Sequence, residues 1–300
     1  MRKYVREWVK QGLTEEICIY GNPTLDIIED DRGIRWSYGG GVYYTSLPLI
    51  ARGFKLKVYS TVSHPIINHP VYKHVIPLQY STRYNVFHIR YYGKGSRTLA
   101  LLQEAPPLYN WNMSEDLCVS IVNPVYREIL PSFLKQLSNR STILVGDIQG
   151  FLRLRKNHSI LLSPDKQVFE SVKMLQLIHM DVEEARALTG EENTKNLSLK
   201  LQSVLKDQIV IVTNGPFNIL LIYAGNIEEI HHVGESYPDT TGAGDFFLGS
   251  LTYYYLVTND IVESIFKSIV ATEKWLVKKG FIAANHLVEN TVQSSAKDML

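Results

Sequence analysis

Short β-rich runs alternate with helical patterns along most of this chain, and that alternation excludes most architectures before any motif is considered. Glu16 to Tyr20, Lys55 to Val62, Leu117 to Val122 and Thr142 to Val145, the last ending at Asp147, read as strands. Gly41 to Arg52, Val125 to Leu137, Val168 to Gln176 and Val182 to Leu188 carry helical patterning. Gly53 and Gly190 stand where a left-handed residue closes a helix. Ile209 to Thr213 is apolar without interruption, like a strand covered on both faces of a parallel sheet. Thr241 to Val257 and Ile261 to Lys279 read as two closing helices. This repetition predicts a three-layer α/β/α sandwich with a mostly parallel central sheet, its ligands at the carboxyl ends of the strands.

Two segments break the rhythm. Asp26 to Tyr38 is short, polar and β-compatible. Tyr80 to Gln103 alternates aromatic and polar residues and turns at Gly93-Lys94-Gly95-Ser96, a hairpin pattern. Both flank the first strand–helix units, so a small sheet standing over the strand ends as a lid is expected beside the alternative of ordinary edge strands. Exposed aromatics on such strands favour a homodimer through the lid.

Bulk properties narrow the function. With 45% hydrophobic and 20% charged residues, the 300-residue chain can bury a full core. A net charge of +1 gives no reason to expect a nucleic-acid partner or a polybasic membrane contact. Cys18 and Cys118 lie in apolar runs and are expected to be buried, reduced thiols, without a zinc spacing. Met1 to Glu16 mixes charged and apolar residues without the apolar centre of a signal peptide, and reads as a short helical extension. No run approaches the roughly 18 apolar residues that span a bilayer. The expectation is a soluble, cytoplasmic protein.

The most informative string is Asp239-Thr240-Thr241-Gly242-Ala243-Gly244-Asp245, which runs into the apolar Phe246-Phe247-Leu248. Small residues at a helix start leave backbone N–H groups open, and the helix dipole adds positive potential for phosphate oxygens. Asp245 falls in the first turn, where a carboxylate can take a proton from an attacking hydroxyl. Phosphoryl transfer needs both parts. No lysine follows the glycines, so this is not a Walker A loop, and Phe247 occupies the third glycine position of a dinucleotide fingerprint. The alternative is a helix start whose glycines serve packing alone.

In that order of pieces the chain resembles the ribokinase-like carbohydrate kinases, the PfkB family, from about residue 16 onward. Asp239 to Asp245 looks like the family's C-terminal signature, and Gly39-Gly40-Gly41 before the helix to Gly53 looks like its N-terminal one. Asp181-Val182-Glu183-Glu184 is similar to its Asn-x-x-Glu motif, with Asp in place of Asn. The resemblance implies that Asp245 is the base and that the amides of Gly242, Ala243, Gly244 and Asp245 form the anion hole. It implies ATP contacts at Thr213, Asn214, Gly215, Thr241, Gly242 and Gly244, and Mg²⁺ held near Asp181 and Glu184. It implies a sugar or polyol acceptor gripped by Asp26 and approached closely by Gly39, Gly40 and Gly41. Asp181 with Glu184 equally fits a capping box, Thr213-Asn214-Gly215 a plain turn, and Asp26 a turn residue bonded to its own backbone.

The chain also departs from the family. Tyr44 stands where an Asn is usual, and Ser63-His64-Pro65 replaces the Gly-x-Asp after the second strand. A helix common in the family between His64 and Pro77 is expected to be lost. His64, His69, His74 and His88 show no metal spacing and read as surface or lid residues. Asp147-Ile148-Gln149-Gly150-Phe151-Leu152-Arg153 and Val122-Asn123-Pro124 resemble a branch that includes inositol kinases. Asn123, Asp147, Gln149 and Arg153 would offer mixed donors and acceptors to a polyhydroxylated ring. The alternative makes Asp147 and Arg153 a structural ion pair. The expected function is an ATP-dependent kinase acting on a sugar or polyol hydroxyl, an inositol-like cyclitol favoured. A nucleoside kinase and a non-catalytic metabolite-binding regulator are the alternatives.

Overall fold

A computed structural model describes residues 16–31, 33–92, 96–109, 118–235, 237 and 239–297, with the side chains of 96 and 281–297 excepted. The N-terminal extension and the hairpin turn at 93–95 fall outside the described residues.

Among the described residues, nine strands form the central sheet. From β5 (Val75–Tyr80) through β4 (Lys55–Val62), β1 (Glu16–Tyr20), β8 (Cys118–Val122), β9 (Ser141–Asp147) and β12 (Leu177–Asp181) to β13 (Ile209–Asn214), all pairings are parallel. Antiparallel β14 (Asn218–Tyr223) and β15 (Asn226–His231) close one edge. The sheet is therefore mixed, although mostly parallel as the sequence predicts.

Side chains alternate across the strands and feed two cores. Cys18, Tyr20, Val210 and Val212 face one layer, with Leu134, Val172, Ala185 and Leu201 of helices Pro131–Ser138, Lys166–Val172, Val182–Thr189 and Thr194–Val204. Ile17, Ile19, Ile209 and Ile211 face the other, with Leu49, Leu248 and Ile265 of helices Gly41–Ile50, Ala243–Thr258 and Ile261–Lys297. Cys18 is buried, Cys118 half-buried, and both are free thiols. Among the described residues no helix is long and apolar enough to cross a membrane.

A second sheet of six strands has the order β10-β11-β7-β6-β2-β3. It takes up β2 (Thr24–Asp30), β3 (Gly33–Gly39), β6 (Val86–Tyr92) and β7 (Ser96–Gln103). The short strands β10 (Arg153–Lys156) and β11 (Ser159–Leu162), which the periodicity does not predict, extend it.

Three helical expectations are corrected. Val125 to Leu130 is not helical; the helix begins at Pro131. The buried carboxylate of Glu128 accepts the N–H groups of Asn22, Val125 and Tyr126, so it holds the segment as a loop. Arg127 in that loop takes a φ of 49°. The next helix runs over Lys166–Val172, earlier than its apolar pattern suggests, because Asp165 caps it by accepting from Val168 N–H. The last helix continues past residue 279 to Lys297. Between His64 and Pro77 the chain makes two 3₁₀ turns and enters β5. Of the histidines read as surface or lid residues, His69 is not at the surface but buried against β3: its Nε2 lies 3.0 Å from the Gly39 carbonyl, and burial lowers its pKa to about 4.

Candidate active site

The carboxyl ends of β8, β9, β12 and β13 and the start of helix Ala243–Thr258 meet around one cavity of about 440 Å³. The six-stranded sheet supplies its other wall, with Asp26, Phe87, Ile89, Arg97 and Leu99. Of the residues singled out above, Asp26, Gly40, Gly41, Asp147, Gln149, Arg153, Asp181, Glu184, Thr213, Gly215, Thr241, Gly242, Ala243, Gly244 and Asp245 line it. Gly39, Asn123 and Asn214 are not among its lining residues. The Asn214 side chain donates instead to Asn218 Oδ1 at 2.8 Å.

Asp245 is held by neutral amides. Its Oδ1 accepts from Asn123 Nδ2 at 2.8 Å and from Gln149 Nε2 at 3.0 Å. Gln149 is oriented in turn by Arg153, whose guanidinium donates to Gln149 Oε1 at 2.7 Å and to the Val125 carbonyl at 2.9 Å. Gly41 lets Asn123 come this close, since a Cβ there would stand 2.2 Å from Asn123 Oδ1. Burial pushes the Asp245 carboxyl up to about 6, the charge of Asp147 adds to the rise, and the Asn123 bond opposes it. A buried carboxyl with that value is poised to accept a proton near neutral pH.

Asp147 and Arg153 form no ion pair. Asp147 Oδ2 lies 2.7 Å from His179 Nδ1, and its Oδ1 accepts the Gln149 N–H at 2.8 Å. His179 Nε2 reaches Thr213 Oγ1 at 3.3 Å. This histidine is a site residue that the sequence reading missed. Its signal was a lone polar side chain inside the apolar run Leu177–Met180, just before Asp181.

At the helix start, Gly242 takes a φ of 81°, and a Cβ there would stand 2.3 Å from the Tyr44 ring. Only glycine fits both demands. First-turn N–H groups have no partner within their helix. That of Ala243 is occupied, donating to the Thr240 carbonyl at 3.0 Å, so the donors open to an anion are those of Gly242, Gly244 and Asp245. The Ala243 amide is thus engaged as a turn donor. From the smaller sheet, the Tyr91 hydroxyl bonds Thr241 Oγ1.

Asp181 and Glu184 do form the capping box. Asp181 Oδ1 accepts the Glu184 N–H at 2.8 Å, and Glu184 Oε2 accepts the Asp181 N–H at 2.9 Å. Each keeps a second oxygen, and both residues line the cavity. Burial raises the pKa of both. No cluster of three metal-ligating side chains exists among the described residues. Two carboxylate oxygens fit Mg²⁺, which is usually held by one or two carboxylates, water and substrate phosphates. Capping and metal binding are compatible here.

Asp26 is the outlier. It is buried, its Oδ1 has no hydrogen-bond partner, and burial raises its carboxyl to about 7.

Comparison with known structures defines the fold class. A pyrophosphate-dependent kinase in the ribokinase family, complexed with a pyrophosphate analog and myo-inositol, matches with a TM-score of 0.74 and 21% identity over 87% of this chain and 94% of that one. The ribokinase of Thermotoga maritima matches with 0.64 and 15% identity over 86% and 91%. Arabidopsis thaliana ribokinase, complexed with ribose and ATP, gives 0.64 and 13% over the same shares. The protein has the ribokinase-like fold. Residues 153–271 match the pfkB family carbohydrate kinases. No curated protein sequence matches it.

Proposed function

We propose that the protein transfers the γ-phosphoryl group of ATP to a hydroxyl of a polyol, an inositol-like cyclitol. The observation that carries this reading is the pairing, across one cavity, of Asp245 beside open helix amides with a buried carboxylate, Asp26, that lacks a partner on Oδ1. A buried acceptor without a donor costs about 1–3 kcal/mol, and more if charged. A substrate hydroxyl would relieve it. Gln149 and Arg153 add polar groups to the lining of the same cavity. The cavity lining also offers the apolar side chains of Ile219, Ile269 and Leu276, which suit contact with a nucleobase.

Both amide bonds fall on Oδ1 of Asp245, so Oδ2 is the oxygen that takes the proton from the attacking hydroxyl. The hydroxyl oxygen bonds to the γ-phosphorus as the bond to the bridging oxygen breaks, and the electron pair leaves with ADP. The N–H groups of Gly242, Gly244 and Asp245 receive the negative charge of the moving group. Asp181 and Glu184 would hold Mg²⁺, which neutralises charge on the donor phosphates.

The test is a panel of acceptors (myo-inositol and other cyclitols, ribose, hexoses, nucleosides) against ATP, other nucleoside triphosphates and pyrophosphate, with magnesium, read by phosphorus NMR. Cyclitol phosphate with ATP is expected. Turnover on nucleosides alone would overturn the acceptor, turnover with pyrophosphate alone would overturn the donor, and none at all would remove the reading.

A further inference from the structure

Asp239 opens the glycine-rich string, six residues before Asp245, and takes no part in the steps above. Its surroundings give it a task. Asp239 Oδ1 accepts the Thr241 N–H at 2.9 Å, and its Oδ2 lies 3.0 Å from the ammonium of Lys279. That ammonium also donates to the Thr241 carbonyl at 2.8 Å. It sits 5.3 Å from the centroid of the Trp275 ring and 5.8 Å from that of Tyr44, whose own ring packs under Gly242. A cation on helix Ile261–Lys297 is therefore fastened to the loop that begins helix Ala243–Thr258, 38 residues earlier.

The carbonyl that Lys279 bonds is half of a peptide group, and the other half is the N–H of Gly242. A positive charge on the oxygen draws electrons through the peptide and makes that N–H a stronger donor, as hydrogen bonds in series strengthen one another. It also fixes the peptide plane and hence the direction of the N–H. Preorganised donors of this kind act without reorganising during reaction. We infer that Lys279 is a positioning residue for phosphoryl transfer: clamped by Asp239, it aims and polarises the Gly242 N–H at the anion. The inference rests on the phosphoryl-transfer reading above.

The test uses the full chain and inorganic pyrophosphate, titrated calorimetrically. Lys279→Met is expected to weaken pyrophosphate binding roughly tenfold or more, the size of one charge-assisted hydrogen bond. That variant strands Asp239 and can unfold, so Asp239→Asn with Lys279→Met, which removes both charges, is measured beside it and is expected to melt cooperatively and still bind weakly. In Lys279→Ala, ethylammonium, but not tetramethylammonium at equal ionic strength, is expected to restore binding, because the small ammonium refills the same bonds. A purely structural lysine would not be rescued this way. Affinity within twofold of wild type in the double variant, or loss without ethylammonium rescue, overturns the assignment. So does wild type that binds no pyrophosphate. If wild type binds pyrophosphate but phosphorylates nothing in the acceptor panel, the functional reading fails, while the role of Lys279 still stands or falls on the variants.

Discussion

The two walls of the cavity differ in how completely their polar groups are satisfied. On the wall at the strand ends of the nine-stranded sheet, Asp245, Asn123, Gln149, Asp147 and His179 form one connected network of hydrogen bonds, braced through Gln149 by Arg153 at the start of β10. On the wall built by the six-stranded sheet, Asp26 is buried with an unpartnered oxygen. That sheet also exposes Ile34 and Trp36 on its edge strand β3. The contrast separates two tasks. A network closed on itself holds a base in one geometry before substrate arrives. An open carboxylate leaves its bonds for the substrate to complete. Under the proposed function, chemistry falls to the first wall and acceptor recognition to the second.

The largest effect is expected from the closed wall. Asp245→Asn keeps the size of the side chain but not its basicity. Turnover should fall by roughly a hundredfold or more, the usual contribution of a positioned general base. Donor affinity, measured by equilibrium binding, should stay near wild type, because the helix amides remain. Wild-type-like turnover would erase the division between the walls.

Asp26→Asn should act in a different way. The acceptor KM should rise about 10- to 100-fold, the equivalent of a hydrogen bond to a charged group, with little change in the KM of the donor. Stability should move in the opposite direction. The folded pKa of Asp26 is raised to about 7 from an ordinary 3.8. A raised carboxyl contributes stability in full below the unfolded value and loses it as pH rises through the folded one. At pH 8 the wild-type chain carries a buried charge that the asparagine variant lacks, so the variant should be more stable by on the order of 2 kcal/mol. At pH 4 the advantage should vanish. Thermal melts at the two pH values check this, and a variant destabilised at pH 8 would show that Asp26 is paired in the free protein.

The same contrast explains which parts of the molecule could be read from sequence. Strands β1 and β4 span Glu16–Tyr20 and Lys55–Val62, the bounds the sequence predicts, because a mostly buried central strand leaves a strong apolar signal. The string Asp239–Asp245 was legible because its geometry is local: a left-handed glycine and a helix start lie within a few residues of each other. His179 was not. It faces Asp147 because β9 and β12 pair in a register that sets those two residues opposite each other, and strand order is not written in either strand. Lys279 escaped for the same reason, being 38 residues from the carbonyl it bonds. Glu128 overrode a plausible helical pattern by capturing backbone N–H groups from two separate segments. The missed pair β14 and β15, joined through Ala224 and Gly225 with positive φ, was locally signalled on one side only, by the apolar run Ile219–Ile222 before a tight turn.

The smallest expected effect probes the closed wall from within. Asn123 donates to Asp245 Oδ1, and that bond favours the charged carboxylate. Asn123→Ala removes one of two such donors and leaves Gln149 in place, so the base survives with a higher pKa. Activity that depends on ionised Asp245 falls as pH drops through about 6 in the wild type. In the variant that acid limb should begin at higher pH, by up to about one unit. Loss of kcat/KM should then be several-fold at pH 6 and slight at pH 8, where both forms are ionised. A uniform loss across pH would mean that Asn123 meets the acceptor directly instead of tuning the base, and would move it from one wall's task to the other's. An acid limb that did not shift, with activity unchanged, would mean that the network is held by Gln149 and Arg153 alone.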